Sequence, residues 1–160
     1  MNWYIIFISA LIPLVTGFIW YNNKVFGGAW KKATGFDPER AAGSNMALIF
    51  GLTYLLGLFL SIAIMPMVIH QMHIYSLFAD TPGAQEQGSE MMNLLAAHGD
   101  KFRTFKHGAF HGFFNSIIFV LPIIGIIALF ERRGGKYIFI HTGYWALTLM
   151  LMGGLICAMM

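Results

Sequence analysis

The stretch 46–69 reads MALIFGLTYLLGLFLSIAIMPMVI and contains no Asp, Glu, Lys or Arg. A helix of about 20 apolar residues is long enough to cross the hydrocarbon core of a bilayer. This stretch therefore predicts a membrane-spanning helix, and it sets the frame in which the rest of the chain is interpreted.

Three further stretches have the same uncharged, apolar character, at about 2–21, 108–130 and 137–158. Hydrophobic residues make up 58% of the 160 residues and charged residues only 11%, against roughly 25% charged in a soluble domain. We therefore predict an all-α fold, with residues 1–160 forming one integral membrane bundle of four transmembrane helices.

The same composition excludes several other classes of protein. A single cysteine, Cys157, excludes a disulfide scaffold. The ten Lys and Arg residues are dispersed along the chain and form no phosphate-binding patch. We therefore expect the lipid bilayer as a partner and no nucleic acid.

The basic residues predict the orientation in the membrane. Seven lie in the first and third loops and three in the second. The seven are Lys24, Lys31, Lys32, Arg40, Arg132, Arg133 and Lys136. The positive-inside rule then places these two loops in the cytoplasm and both termini outside. We expect a multi-pass protein of the bacterial inner (plasma) membrane.

Local signals refine the helices. Asp37 followed by Pro38 favours a helix start, and this helix is predicted to continue through the second span to Phe78. Prolines predict bends, at Pro66 in the second span and Pro122 in the third. A short amphipathic helix, at about 90–98 in the second loop, is predicted to lie at the membrane interface.

Small residues follow one face of two predicted spans. Gly57 and Ser61 are four residues apart on the second span, and Gly108, Gly112 and Ser116 repeat at the same step on the third. Small residues at helical spacing let membrane helices approach closely. The stripes predict that spans two and three pack against each other, and they also suit association between copies or with a larger membrane complex.

Histidines cluster at the outer ends of the same two spans. His70 and His73 are three residues apart, and His107 and His111 are four apart on one helix face. Because the two spans are antiparallel, both pairs are expected at similar depth. Imidazole is the commonest metal ligand, so these four residues are a candidate metal site, whereas a purely interfacial role for them is the simpler alternative.

The histidines leave the cofactor open. Two imidazole pairs suit Zn, Cu or Ni, and one imidazole from each helix suits a haem iron. Nearby sulfur ligands would favour Cu(I), and they are Met65, Met67 and Met72.

Other chemistry is largely excluded. No predicted span core contains a carboxylate, so a di-iron site is not expected, and nothing beside Cys157 activates its thiol. His141 is expected to pack inside the fourth span or to pair with Glu131. We therefore expect no enzymatic activity.

Several short motifs carry a family resemblance: MNW at 1–3, FGGAW at 26–30, LFERR at 129–133 and GYW at 143–145. Over nearly the whole chain, they resemble the bacterial membrane proteins grouped as domain of unknown function 1761. The segments HQ at 70–71 and RTFKHG at 103–108 are similar to the branch found in Bacteroidota. The resemblance implies a four-helix envelope protein and carries over no catalytic or binding residue.

Together these patterns favour a small non-enzymatic membrane protein that acts as an oligomeric or accessory subunit of a membrane complex. The alternative is a metal- or haem-binding protein that uses the histidine cluster for transport, sensing or electron transfer.

Overall fold

A computed structural model describes the backbone of residues 1–160 and every side chain except that of Arg40. Of the predicted basic residues in the first and third loops, the Arg40 side chain thus lies outside the described part of the chain. Across this backbone the chain is helical and contains no strand, which confirms the all-α prediction. The helices are α1 (Tyr4–Ser9), α2 (Ile12–Trp20), α3 (Gly27–Thr34), α4 (Pro38–Ala42), α5 (Met46–Val68), α6 (Gln71–Leu77), α7 (Glu90–His98), α8 (Phe105–Asn115), α9 (Leu121–Phe130) and α10 (Gly135–Met159), with a π-helical turn over Ser116–Val120 between α8 and α9.

Three helical segments are long and apolar enough to cross a membrane: Met46–Val68, Phe105–Phe130 and Gly135–Met159. They correspond to the second, third and fourth predicted spans. The first predicted span corresponds to a shorter apolar stretch, Tyr4–Trp20. A fourth crossing therefore stays a prediction.

A break divides the first apolar stretch between α1 and α2. Pro13 has no N–H to donate to the carbonyl of Ser9, four residues earlier, and its ring crowds that carbonyl. The backbone of Ala10 and Leu11 stays in the right-handed helical region, so the chain bends without leaving the bundle.

The second span agrees with its predicted bounds, but the helix that contains it is shorter than predicted. The Glu39 N–H donates to the Asp37 side chain at 2.9 Å, as expected at a helix start. However, α4 ends at Ala42, and α5 starts anew where the Asn45 side chain accepts the Leu48 N–H at 3.1 Å. At the other end, Ile69 is fully buried with an extended backbone (φ −110°, ψ 93°), which ends α5. The prediction of one helix reaching Phe78 is therefore wrong.

The third span contains a π-helical turn directly before Pro122. Proline cannot donate to the carbonyl four residues earlier, and a π-turn instead uses hydrogen bonds to the carbonyl five residues earlier. The predicted disturbance at Pro122 thus takes the form of a wider helical turn. The loop helix near 90–98 is observed as α7, which begins at a Ser89 cap.

Helix α10 is the centre of the bundle. Half of its apolar window is buried, against 11% for Phe105–Phe130 and 22% for Met46–Val68. Its core-facing Met152 and Ile156 are fully buried together with Ile5, Val68 and Ile69 from α1 and the end of α5. The fourth helix therefore organises the other three segments.

Polar side chains join α10 to α2. The hydroxyls of Thr16 and Thr148 lie 2.8 Å apart in the interior. The Tyr144 hydroxyl donates to the Pro13 carbonyl at 2.9 Å, and the Trp20 indole N–H donates to the Ile140 carbonyl at 3.0 Å. These bonds hold the short first segment against the bundle.

The small residues of the predicted stripes allow backbone contact, but the third-span stripe has a different partner from the one predicted. A Cβ on Gly108 would overlap the Gly153 carbonyl oxygen, and one on Gly112 would overlap the Leu149 carbonyl oxygen. That stripe therefore packs on α10 and not on α5.

The second-span stripe also avoids α8. A Cβ on Gly57 would lie 2.5 Å from the carbonyl oxygen of Ala10, at the break between α1 and α2. Two buried hydroxyls remain inside their own helices, since Ser61 donates to the Gly57 carbonyl at 2.9 Å and Ser116 donates to the Phe113 carbonyl at 2.6 Å.

Replacing Gly112 with alanine is expected to lower the unfolding temperature of the purified protein in detergent. The added methyl meets the backbone of α10, and overpacking of this kind costs about 1–3 kcal/mol. Gly51→Ala is the matched control, because Gly51 also lies inside a long apolar helix and a Cβ there meets no atom within 4 Å. Equal thermal stability of the two variants would contradict the α8–α10 contact.

Candidate metal centre

The end of one helix and the capped start of another bring three imidazoles together. Ile69 ends α5, so that His70 lies at the start of α6 and outside the long helix. On the other side, the Thr104 side chain accepts the N–H of His107 at 3.3 Å and begins α8. His107 and His111 then lie one turn apart on one face of α8.

The three rings form a compact group, here called the histidine triad (His70, His107 and His111). One ligand nitrogen from each ring lies within 4.8 Å of the others. The Nε2 atoms of His70 and His107 are 2.8 Å apart, so one of them donates a hydrogen bond to the other. The ring centroids of His70 and His107 lie 5.1 and 4.5 Å from that of His111.

The fourth predicted ligand is not in this group. His73 is exposed one turn into α6, where its N–H donates to the carbonyl of His70 at 3.1 Å. The helix break at Ile69 separates His70 from α5 and leaves His73 on a different face. The methionines also lie elsewhere, since Met65 is in the apolar core and Met72 packs against it, while Met67 is exposed.

Phe102 covers the triad, which the sequence did not indicate. Its ring stacks on His107 with centroids 5.0 Å apart, and meets His70 edge-on at 5.9 Å. Its backbone has a φ of 63°, a left-handed conformation that costs a non-glycine residue roughly 1–2 kcal/mol. Such outliers cluster at functional sites.

Cys157 ties together the two segments that carry the triad and its cover. The buried thiol lies 3.2 Å from the carbonyl oxygens of both Val68 and Phe102. In turn, Arg103 Nε donates to the Cys157 carbonyl at 2.9 Å. The end of α10 therefore fixes the end of α5 relative to the loop before α8, and the thiol has a structural role.

Gln71 anchors the second loop beside the triad. Its amide nitrogen donates to the carbonyls of His98 and Lys101, both at 2.9 Å. The chain that leads into Phe102 is therefore fixed from α6 as well as from α10.

The triad fits a single first-row transition-metal ion. A Zn–N bond of about 2.0–2.1 Å in tetrahedral geometry places ligand nitrogens roughly 3.3 Å apart. The His70–His107 contact of 2.8 Å would need to open slightly, and separations of up to 4.8 Å elsewhere in the triad would need to close. Within the described side chains, the group contains no carboxylate, and all-imidazole sites suit Zn, Cu or Ni.

A haem fits the triad poorly. Two axial imidazoles must lie on opposite faces of the porphyrin, which separates them by the iron and its ring plane. His70 and His107 instead touch through their Nε2 atoms, and His111 contacts both rings.

The sixth histidine lies at the other end of the bundle. His141 Nδ1 is 3.0 Å from the Tyr21 hydroxyl, and its ring packs on Tyr137 with centroids 4.4 Å apart. Glu131 instead pairs with Arg133 at 3.5 Å. Of the two expectations for His141, packing inside the bundle is therefore the one observed.

These features define a small all-helical protein with membrane-like apolar helices and a histidine triad at the end of the bundle where both termini meet. The chain belongs to the family described as "Protein of unknown function (DUF1761)", whose model matches residues 4–157. This match confirms the family resemblance, while the Bacteroidota branch stays a prediction. Comparisons with curated proteins and with solved structures give no match.

Replacing Phe102 with glycine is expected to expose His107 without destabilising the fold. The change removes the stacked ring and also relieves the left-handed strain, which glycine tolerates. The rate of diethyl pyrocarbonate modification of His107, followed by mass spectrometry, is expected to rise several-fold, with an unfolding temperature within a few degrees of the parent. Phe113→Ala is the control, since Phe113 lies inside a helix where glycine would be unsuitable. An equal rise in the His107 modification rate with this variant would contradict the covering role of Phe102.

Proposed function

We propose that this membrane protein binds one transition-metal ion through the histidine triad. The observation that carries the proposal is the convergence of three imidazole nitrogens within 4.8 Å, from two separate segments of the chain. A metal held by three protein ligands keeps at least one coordination position open to water or to a further ligand. Rings that remain partly exposed give the ion a route in and out.

Three imidazoles with an open coordination position also occur at catalytic metals, so the choice between binding and catalysis depends on the groups around the triad. Metal-dependent hydrolases pair the metal with a nearby carboxylate base, and among the described side chains the triad has no carboxylate member. A metal site without a base suits a protein that carries, senses or passes on the ion. We therefore propose a non-enzymatic metal-binding role, with Zn, Cu or Ni as the metal.

We further propose that the triad faces the outer side of the bacterial inner membrane. Basic residues of the first and third loops gather at the opposite end of the bundle, where Arg133 Nη1 donates to the Thr34 carbonyl at 3.0 Å. The excess of Lys and Arg in these loops supports a cytoplasmic location for that end. Both termini then lie outside, on the triad side, where the Asn2 N–H donates to the Met160 carbonyl at 3.0 Å.

The purified protein is expected to bind one Zn²⁺ per chain, measured by elemental analysis after dialysis and by competition with a chelating dye. Because His107 contributes one of three ligands, His107→Ala is expected to weaken binding at least tenfold. An absorbance spectrum without a Soret band is expected in the same preparation, since the geometry does not suit haem.

His73→Ala is the matched control, because His73 is an exposed histidine of the same region that lies outside the triad. Its Zn²⁺ affinity is expected to equal that of the parent. The metal proposal is overturned if the parent binds no Zn²⁺, Cu²⁺ or Ni²⁺, or if His73→Ala and His107→Ala weaken binding equally while both remain folded.

We also propose a role as an oligomeric or accessory subunit, supported by the exposure of the third span. Only 11% of its apolar window is buried within the chain, and Leu129 and Phe130 at its end are 72% and 88% exposed. Gly125 on α9 has no atom within 4 Å of its Cβ position, which leaves room for another helix to approach.

Purification from the native membrane in mild detergent is expected to yield either a homo-oligomer or a complex with a second membrane protein, identified by native mass spectrometry. Gly125→Leu is expected to disrupt that assembly because it fills the open face of α9, whereas Gly134→Leu in the loop is expected to leave it intact. A monodisperse parent monomer would contradict the subunit role and would leave the metal proposal unaffected.

A further inference from the structure

A large cleft lies between α2 and the first half of α5, at the end of the bundle opposite the triad. Its volume is about 1080 Å³, slightly above the range of roughly 300–1,000 Å³ typical of small-molecule sites. It exists because the two helices diverge: Gly57 brings α5 onto Ala10 near the middle of the bundle, and toward Met46 the helices separate.

The cleft is divided into an apolar part and a polar end. Its walls are side chains such as Leu14, Phe18, Ile49 and Phe50. The Thr53 hydroxyl, also in the wall, donates back to the Ile49 carbonyl at 2.8 Å, so its hydrogen is not available to a ligand. The apolar part therefore suits a hydrocarbon chain.

The polar end offers hydrogen-bond donors and positive charge. Lys31 lines it together with Asn22 and Asn23. The side-chain oxygen of Asn22 accepts the Lys24 N–H at 2.9 Å, which leaves its amide NH₂ free to donate outward. The Lys31 ammonium lies over the Phe36 ring at 5.8 Å, and no ion pair joins it to a carboxylate within the described side chains.

We propose that this cleft binds an anionic phospholipid from the leaflet on the side of the basic loops. The acyl chain occupies the space between α2 and α5, and the phosphate group meets the Lys31 ammonium and the Asn22 amide. Charge complementarity selects the ligand, since basic pockets between membrane helices recognise anionic headgroups.

The test measures retention of phosphatidylglycerol and phosphatidylcholine by the full chain, using native mass spectrometry after detergent exchange. We expect phosphatidylglycerol to be retained at least fivefold more than phosphatidylcholine. Lys31→Ala is expected to reduce its retention at least fivefold, because the direct charge-assisted contact between this ammonium and the phosphate is lost. Lys32→Ala, whose side chain does not line the cleft, is expected to leave retention within twofold of the parent.

A second variant tests the acyl part. Val15 lines the cleft and is 57% exposed, so Val15→Trp fills the space without disturbing the core. It is expected to reduce phosphatidylglycerol retention at unchanged thermal stability. Equal retention of both lipids by the parent would overturn the proposal in favour of an ordinary lipid annulus. Equal losses with Lys31→Ala and Lys32→Ala would overturn it in favour of diffuse charge attraction.

Discussion

The direct backbone contact between α8 and α10 is the constraint on which the rest of the molecule depends. In lipid, apolar side chains gain little by leaving one hydrocarbon surface for another, so helix pairs rely on close packing and polar contacts. Gly108 and Gly153 leave no room for a side chain between these two helices. Gly153 also faces the Val68 side chain at the end of α5, since a Cβ built on Gly153 would lie 3.3 Å from Val68 Cγ1. The distance between His70 and His107 thus follows from how closely both helices meet α10.

The first apolar segment is held in a different way. It is too short and too interrupted to be positioned by a long apolar face, and its attachment to α10 uses the hydroxyl pair Thr16–Thr148 and the bond from Tyr144 to the Pro13 carbonyl. Away from water, such bonds have few competing partners. One consequence is that α2 is fixed to α10 but diverges from α5, and this divergence creates the cleft that we assign to a lipid. The bundle therefore has close backbone contacts between helices beside the triad and an open groove at the basic end.

Much of the fold could be predicted because the apolar stretches are long and nearly free of charge. The meeting of His70 with His107 and His111 followed from their spacing and similar depth. Small-residue stripes indicate close approach and do not identify the partner, which is why α10 was not predicted as the centre. Its lower mean hydropathy, 1.5 against 2.3 and 2.5 for the other two long helices, was the available signal. The positive φ of Phe102 and the break at Ile69, which removes His73 from the group, depend on tertiary contacts that no local pattern shows.

The π-helical turn has a consequence for how the two halves of the third span face the bundle. Ser116 at the start of the turn and Ala128 in α9 are both fully buried. In an unbroken α-helix, residues at this separation would lie about 120° apart around the axis. A π-turn holds roughly one extra residue, which offsets most of the 120° rotation between the two positions. Losing a single residue inside the turn would restore an ordinary helical repeat and keep both positions in phase. The same deletion in α9 would swing every later residue by about 100°. The turn is thus a place where the chain tolerates a change in length.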